Sequence, residues 1–230
     1  MSVIKRDLLK AAAVSLLLIS PASAGELLVY SSTDADNLKY YMDEFQKDYP
    51  DIKVNVVRES TGTMAAKMMA EKDNPQADVL FEMAATVALN MEEAGMFHPY
   101  TPKGMDDIDQ RYVDKEGDVN WVGNYGWAGC ICWNTVEAEK LGLPKPTKWS
   151  DLTNPVYKGL ISMPNPNSSG TGFLDVSSWI QIMGEEAAWE YMDKLHSNVA
   201  VYTHSGSKPC KQAGAGEFPI GISWPGRAIK

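Results

Sequence analysis

The sequence predicts an α/β protein of two lobes, each a mostly parallel sheet flanked by helices. Strand and helix patterns alternate three times between Leu27 and Ala94, as expected for parallel strands joined by crossover helices. A second series of apolar strands and amphipathic helix follows between Trp127 and Ser223, after a polar interruption. The chain has 230 residues, of which 44% are hydrophobic. It is long enough for a substantial core and falls where two lobes become possible.

Residues 1–24 have the layout of a secretory leader. Lys5, Arg6 and Lys10 supply a basic start, Ala11 to Ser20 an apolar segment, and Ala22-Ser23-Ala24 a small-residue cleavage site. The apolar segment is too short to cross a bilayer. The expectation is a chain exported to the periplasm that begins its fold at Gly25.

The first lobe is expected over 25–126. Strand Leu27–Tyr30 leads to a helix carrying Leu38, Tyr41, Met42 and Phe45, and strand Ile52–Val57 to a helix with Met64, Ala65, Met68 and Met69 inward. Strand Ala77–Phe81 then leads to a helix through Val87, Met91 and Ala94. From Tyr100 to Gly123 the sequence turns acidic and irregular, with Asp106, Asp107, Asp109, Asp114, Glu116 and Asp118. The apolar run 127–133 reads as a strand crossing into a second lobe over 134–230.

In that lobe, strand Gly159–Met163 runs into Asn165-Pro166-Asn167-Ser168-Ser169-Gly170-Thr171-Gly172. Phe173, Val176, Ile180, Met183, Ala187, Tyr191 and Leu195 recur at helical spacing directly afterwards, so one long helix is expected to start near Gly170. Strand Val199–Thr203, a short helix ending near Gly216, and strand Phe218–Ser223 complete the series. That last strand reads as an edge strand with a basic tail, and the chain as truncated at its C-terminus.

The loop 165–172 has two readings. Its hydroxyls can cap the helix that follows. Alternatively, free N–H groups, the helix dipole and the hydroxyls together hold an anionic oxygen cluster. Loops of the same kind follow the other strands: Ser31 to Asp34, Glu59 to Thr63, Glu82 to Thr86, and Thr203 to Ser207. Parallel sheets bind ligands at the carboxyl ends of their strands, so the repetition favours a binding cleft. Glu82, directly after a buried strand, is a partner for a ligand ammonium, a hard metal ligand, or a carboxylate favoured at a helix start. Asp34 reads as the cap of its own helix, while Tyr30 and Trp224 stand at strand ends beside the cleft.

Other functions find little support. The formal charge is −9, and removing the leader makes it more negative, which disfavours nucleic acid and anionic membranes. The motifs G-x-S-x-G, H-E-x-x-H and G-x-x-x-x-G-K-[ST] are absent, and no catalytic residue, cofactor or metal site is assigned. Cys130 and Cys132 share a strand face, a poor geometry for bonding each other. Cys210 pairs with one of them, or all three stay as thiols; their spacing is not that of a zinc site.

Four segments carry a family resemblance: Glu26 to Ser32, Ala77 to Glu82, Pro164 to Gly172, and Tyr202 to Cys210. They resemble the periplasmic solute-binding proteins of ATP-driven bacterial importers, in the 2-aminoethylphosphonate branch related to ferric-ion and hexose-phosphate binders. The resemblance implies a two-lobed, type II periplasmic-binding-protein fold and a monomer that delivers its solute to membrane permease subunits. It implies a phosphonate held by Ser168, Ser169, Gly170 and Thr171, with Ser32, Ser205 or Ser207 as further donors and Glu82 meeting the ammonium. Sugar phosphate or ferric ion is the alternative solute, and an exported phosphonate or phosphate-ester hydrolase a more distant one. Ferric binders of this kind use adjacent tyrosines late in the second lobe, and the pair here, Tyr40-Tyr41, lies in the first helix. Pro225-Gly226 departs from the family pattern and leaves that wall of the pocket open.

Overall fold

A computed structural model describes residues 25–115 and 119–229. The leader, Glu116, Asp118 and Lys230 lie outside the described residues. Two α/β lobes are present, and they meet along the carboxyl ends of their strands.

The first lobe runs β1 (Glu26–Ser31), α1 (Ala35–Asp48), β2 (Lys53–Arg58), α2 (Thr61–Ala70), β3 (Val79–Phe81) and α3 (Ala85–Glu93). Its strands are parallel in the order β2-β1-β3. Tyr30, Met64, Met68, Val87 and Met91 form its core. Met69, expected inward, is exposed, because one helical residue beyond Met68 points about 100° away. β3 is shorter than expected. The Asp78 carboxylate instead accepts from the Leu28 N–H at 2.8 Å, replacing part of the ladder with a side chain.

The acidic stretch is irregular, as expected, with 3-10 turns at Met105–Asp107 and Gln110–Tyr112 and a bridge between Val113 and Val122. Of the apolar run 127–133, only β4 (Cys130–Trp133) is strand. The Asn134 carboxamide then accepts from the N–H groups of Val136 and Glu137, both at 3.0 Å. This cap starts α4 (Thr135–Lys140), a helix the sequence reading omitted.

The second lobe continues with β5 (Ile161–Pro164), α5 (Gly170–Met183), α6 (Glu185–His196), β6 (Val199–Thr203), α7 (Lys208–Gly214), β7 (Ile220–Ser223) and α8 (Pro225–Ala228). The sheet order is β4-β7-β5-β6, with β4 antiparallel to β7 and the other pairings parallel. β7 is therefore interior, not the edge strand expected. The single long helix is also corrected. Gly184 has φ +82°, a conformation open to glycine, and there the chain breaks into α5 and α6, which pack together. Within α5, Phe173 is exposed while Trp179 is buried, because six helical residues place the two side chains on different faces. Trp179, Tyr191, Leu195, Ile161, Ile220 and Ile222 anchor the larger core. Cys132 and Cys210 form a disulfide, with Cα atoms 5.4 Å apart, and Cys130 is free.

Candidate functional site

All five loops expected at the strand ends line one cleft of about 920 Å³ between the lobes. β1, β2 and β3 deliver Ser32, Thr61 and Glu82 from one side. β5, β6 and β7 deliver Ser169, Gly170, Thr171, Ser205, Ser207 and Trp224 from the other. Tyr30 also reaches the cleft, and its hydroxyl donates at 3.0 Å to Glu71, another lining residue.

The loop before α5 is built as an Asx turn. Asn165 accepts the N–H of Asn167 on its side chain at 2.9 Å and the N–H of Ser169 on its carbonyl at 2.9 Å. Its own N–H bonds Thr203 of β6 at 2.8 Å, which fixes the loop to the sheet. Ser169 is the N-cap, accepting from the Gly172 N–H at 3.4 Å. The N–H groups of Gly170 and Thr171 have no acceptor within their helix, as for any first turn, and both residues face the cleft. The loop thus caps its helix and still leaves the first-turn N–H groups of two cleft-lining residues without a helical acceptor.

Close approach makes two glycines indispensable. A Cβ on Gly172 would lie 2.7 Å from the Pro164 carbonyl oxygen, and one on Gly206 would strike the Thr171 hydroxyl and lie 3.0 Å from the Ser169 hydroxyl. The two hydroxyl-bearing loops of the second lobe are therefore pressed together. Ser205 and Ser207 hydroxyls sit 3.1 Å apart beside them.

Seven of the eight residues chosen from the sequence line the cleft; Ser168 does not. Its hydroxyl pairs with His204 Nδ1 at 2.9 Å, and its carbonyl accepts from the Gly62 N–H of α2 at 3.0 Å. Ser168 thus ties the two lobes together through its backbone.

Glu82 is the strained point of the site. Its φ of +54° is the one positive value at a non-glycine among the described residues, and such backbone persists only where surroundings over-determine it. The Ser32 hydroxyl donates to the Glu82 carbonyl at 2.8 Å. The carboxylate accepts from the Thr33 hydroxyl and from the Asn124 amide, the latter at 3.0 Å. Its charge raises the pKa of Tyr41. Burial, and then the charges of Glu82, Tyr41 and Asp34, push the Tyr125 phenol up to about 12, so it is a neutral hydroxyl at physiological pH.

Asp34 stands at the N-cap position of α1 without a side-chain cap bond, contrary to expectation. Its carboxylate is drawn across the cleft. It accepts from Arg227 Nε at 2.5 Å and from the Ser207 hydroxyl at 2.9 Å, while Arg227 also bonds Asp36. The Asp34 and Arg227 side chains are 9% and 7% exposed, which makes this a buried link between lobes. Sequence reasoning missed Arg227, Arg58, Asn124 and Tyr125, which lie in a one-turn helix, at a strand end and in an irregular segment, where no periodicity marks a role. The basic tail expected after the last strand contains Arg227 but gave it no partner.

The chain matches the family described as bacterial extracellular solute-binding protein over residues 31–230. It is 32% identical over 208 residues to an uncharacterised protein of Haemophilus influenzae, covering 89% of this chain and 60% of that one. Among solved structures it is similar to the periplasmic binding protein AfuA from Actinobacillus pleuropneumoniae with exogenous fructose-6-phosphate bound. That match has 33% identity and a TM-score of 0.81 and covers 90% of this chain and 65% of that one. The periplasmic binding protein P5PA is also similar, at 28% identity and a TM-score of 0.74, covering 87% and 64%. The chain spans about three fifths of the length of the curated relatives it matches. The matched family is one of extracellular binding proteins. The chain belongs to the bacterial extracellular solute-binding protein family.

Proposed function

We propose that this protein captures a phosphorylated sugar in the cleft between its lobes and presents it to the permease of an ATP-driven importer. The observation that carries this reading is the convergence of two helix N-termini, one from each lobe. α2 starts at Thr61 and α5 at Gly170, and a Cβ on Gly170 would meet the Thr61 hydroxyl at 2.6 Å. Facing positive helix ends repel each other unless an anion lies by them. A phosphate received by the N–H groups of Gly170 and Thr171 and the hydroxyls of Thr61, Ser169 and Ser205 would bind the lobes to one another. Each hydrogen bond to such a charged group is worth about 1.5–3 kcal/mol.

The remaining cleft suits a polyhydroxylated body. Glu82 and Asp34 offer acceptors, Asn124 and Tyr125 offer donors, and Trp127 and Trp224 offer flat apolar faces. The similarity to AfuA with bound fructose-6-phosphate supports the same solute class. A two-carbon aminophosphonate fills much less of the cleft. It remains the second reading because Glu82 would pair with its ammonium, and a carboxylate left unpaired penalises a ligand lacking it. Ferric ion is the weakest reading. Among the described residues, no trio of carboxylates and histidines converges as a hard metal site, and Tyr40-Tyr41 lies on α1 outside the cleft lining.

Calorimetric titration of the whole chain tests the order. Fructose 6-phosphate is expected to bind at one equivalent, at least 100-fold tighter than fructose and tighter than 2-aminoethylphosphonate. Tighter binding of the aminophosphonate would overturn the sugar-phosphate reading, and no saturable heat with any phosphorylated solute would overturn the anion site itself.

A further inference from the structure

The fold gathers three sulfurs that the sequence spacing keeps apart. Cys130 and Cys132 project from one face of β4 toward α7, which packs on β4, β5 and β7. Cys210 lies in the first turn of α7. Gly221, the ladder partner of Cys132, permits the approach, since a Cβ there would lie 2.4 Å from the Pro209 carbonyl oxygen. All three Sγ atoms fall within 4.8 Å of one another, and those of Cys130 and Cys132 are 4.0 Å apart. Cys132 and Cys210 are buried with Ala213 in an apolar cluster, and Cys130, half-buried, packs against it.

Three thiolates bonded to one cation in a plane at about 2.3 Å stand about 4.0 Å apart, which is the separation already present between Cys130 and Cys132. Sulfur-only ligands in a dry shell select a thiophilic cation over calcium or magnesium. We propose that Cys130, Cys132 and Cys210 form a redox-gated site for one thiophilic divalent cation of the cadmium, mercury or zinc class. With the Cys132–Cys210 disulfide formed, two of the three sulfurs are committed to each other and the site is shut. A dithiol reductant opens it: its two electrons cleave the S–S bond, its two protons go to the Cys132 and Cys210 sulfurs, and the dithiol leaves as a disulfide. The cation then forms three metal–sulfur bonds and releases three protons. This site is separate from the solute cleft, whose lining contains none of the three cysteines.

Cadmium(II) titration of the whole chain, followed by ultraviolet thiolate-to-cadmium absorption, tests the proposal. The chain is first reduced with a phosphine, which takes the oxygen of water while the two sulfurs take its hydrogens. Saturation at one equivalent is expected, with affinity at least 100-fold above that of the oxidised chain and at least tenfold above that of reduced Cys130→Ser. Equal affinity of Cys130→Ser and the unsubstituted chain, or equal binding before and after reduction, would overturn it. Circular dichroism accompanies each step. If reduction unfolds the chain, cadmium is expected to restore the native spectrum, and failure to do so overturns the site as well.

Discussion

The two lobes build their halves of the cleft in opposite ways. In the second lobe the central strands β5 and β7 are buried along their whole length, and Trp179, Tyr157, Ile161, Ile220 and Ile222 fill the space beneath α5. The cleft-lining loop before α5 is thus held by packing. In the first lobe only the last three residues of β1 are buried, and β2 and β3 have no buried residue. A smaller core rich in methionine supports them. There the site residues are held by hydrogen bonds, from Ser32 and Thr33 to Glu82 and from Arg227 and Ser207 to Asp34. A dense core positions backbone N–H groups, whereas a light one leaves side chains to position each other.

The largest test of that contrast is Trp179→Ala. It is expected to cost about 3–5 kcal/mol of stability by urea denaturation, at the upper end for a deleted core aromatic. Met64→Ala in the first lobe should cost less, because methionine surroundings collapse more readily around a cavity. Equal losses would remove the distinction between the cores.

Gly206→Ala attacks the packed loops instead of the core. Its methyl must displace the Thr171 and Ser169 hydroxyls, so fructose 6-phosphate affinity should fall at least tenfold by calorimetry while the urea midpoint moves much less. Unchanged affinity would show that those hydroxyls do not face the ligand.

Asp175 is the exception within the dense lobe. It is 1% exposed, and its two carboxylate oxygens, Trp179 Nε1 and the Tyr191 hydroxyl have no hydrogen-bond partner among the described residues. Burial raises its pKa well above the ordinary carboxylate value. Between the unfolded and folded pKa values the native state keeps a proton that the unfolded state has lost, so stability falls as pH rises. The slope from this one group reaches about 1.4 kcal/mol per pH unit. Asp175→Asn has no such proton, and its stability advantage over the parent should widen from about pH 4 upward. Parallel stability curves would contradict that account.

A smaller, ligand-dependent effect is expected at Glu82. Glu82→Gln should weaken 2-aminoethylphosphonate about tenfold more than a plain alkylphosphonate, read by calorimetry. Equal losses would remove the carboxylate from ammonium recognition and leave it as a hydroxyl acceptor.

Much of this architecture was legible in the residues. Apolar periodicity located β1, α1, β2 and α2 closely, and the hydroxyl-rich loops after the strands marked the cleft because parallel sheets expose those ends together. Periodicity alone read α5 and α6 as one helix, since the apolar face continues across Gly184 and only the φ of that residue breaks it. It also left the cysteine pairing open, because Cys210 reaches β4 through the approach that Gly221 allows. Asp34 read as a cap because the local sequence shows its own helix and not Arg227, which lies 193 residues away. Contacts between lobes are long-range, and no local pattern encodes them.

The central claim is that one anionic head joins the lobes. The most direct measurement is a double-mutant cycle between Thr61→Val in the first lobe and Ser169→Ala in the second, read as calorimetric affinity for fructose 6-phosphate. Each single substitution is expected to weaken binding about tenfold or more, worth about 1.4 kcal/mol, and the double variant to lose clearly less than their product. Additive losses, or a Thr61→Val affinity equal to that of the parent, would contradict a shared anion between the lobes.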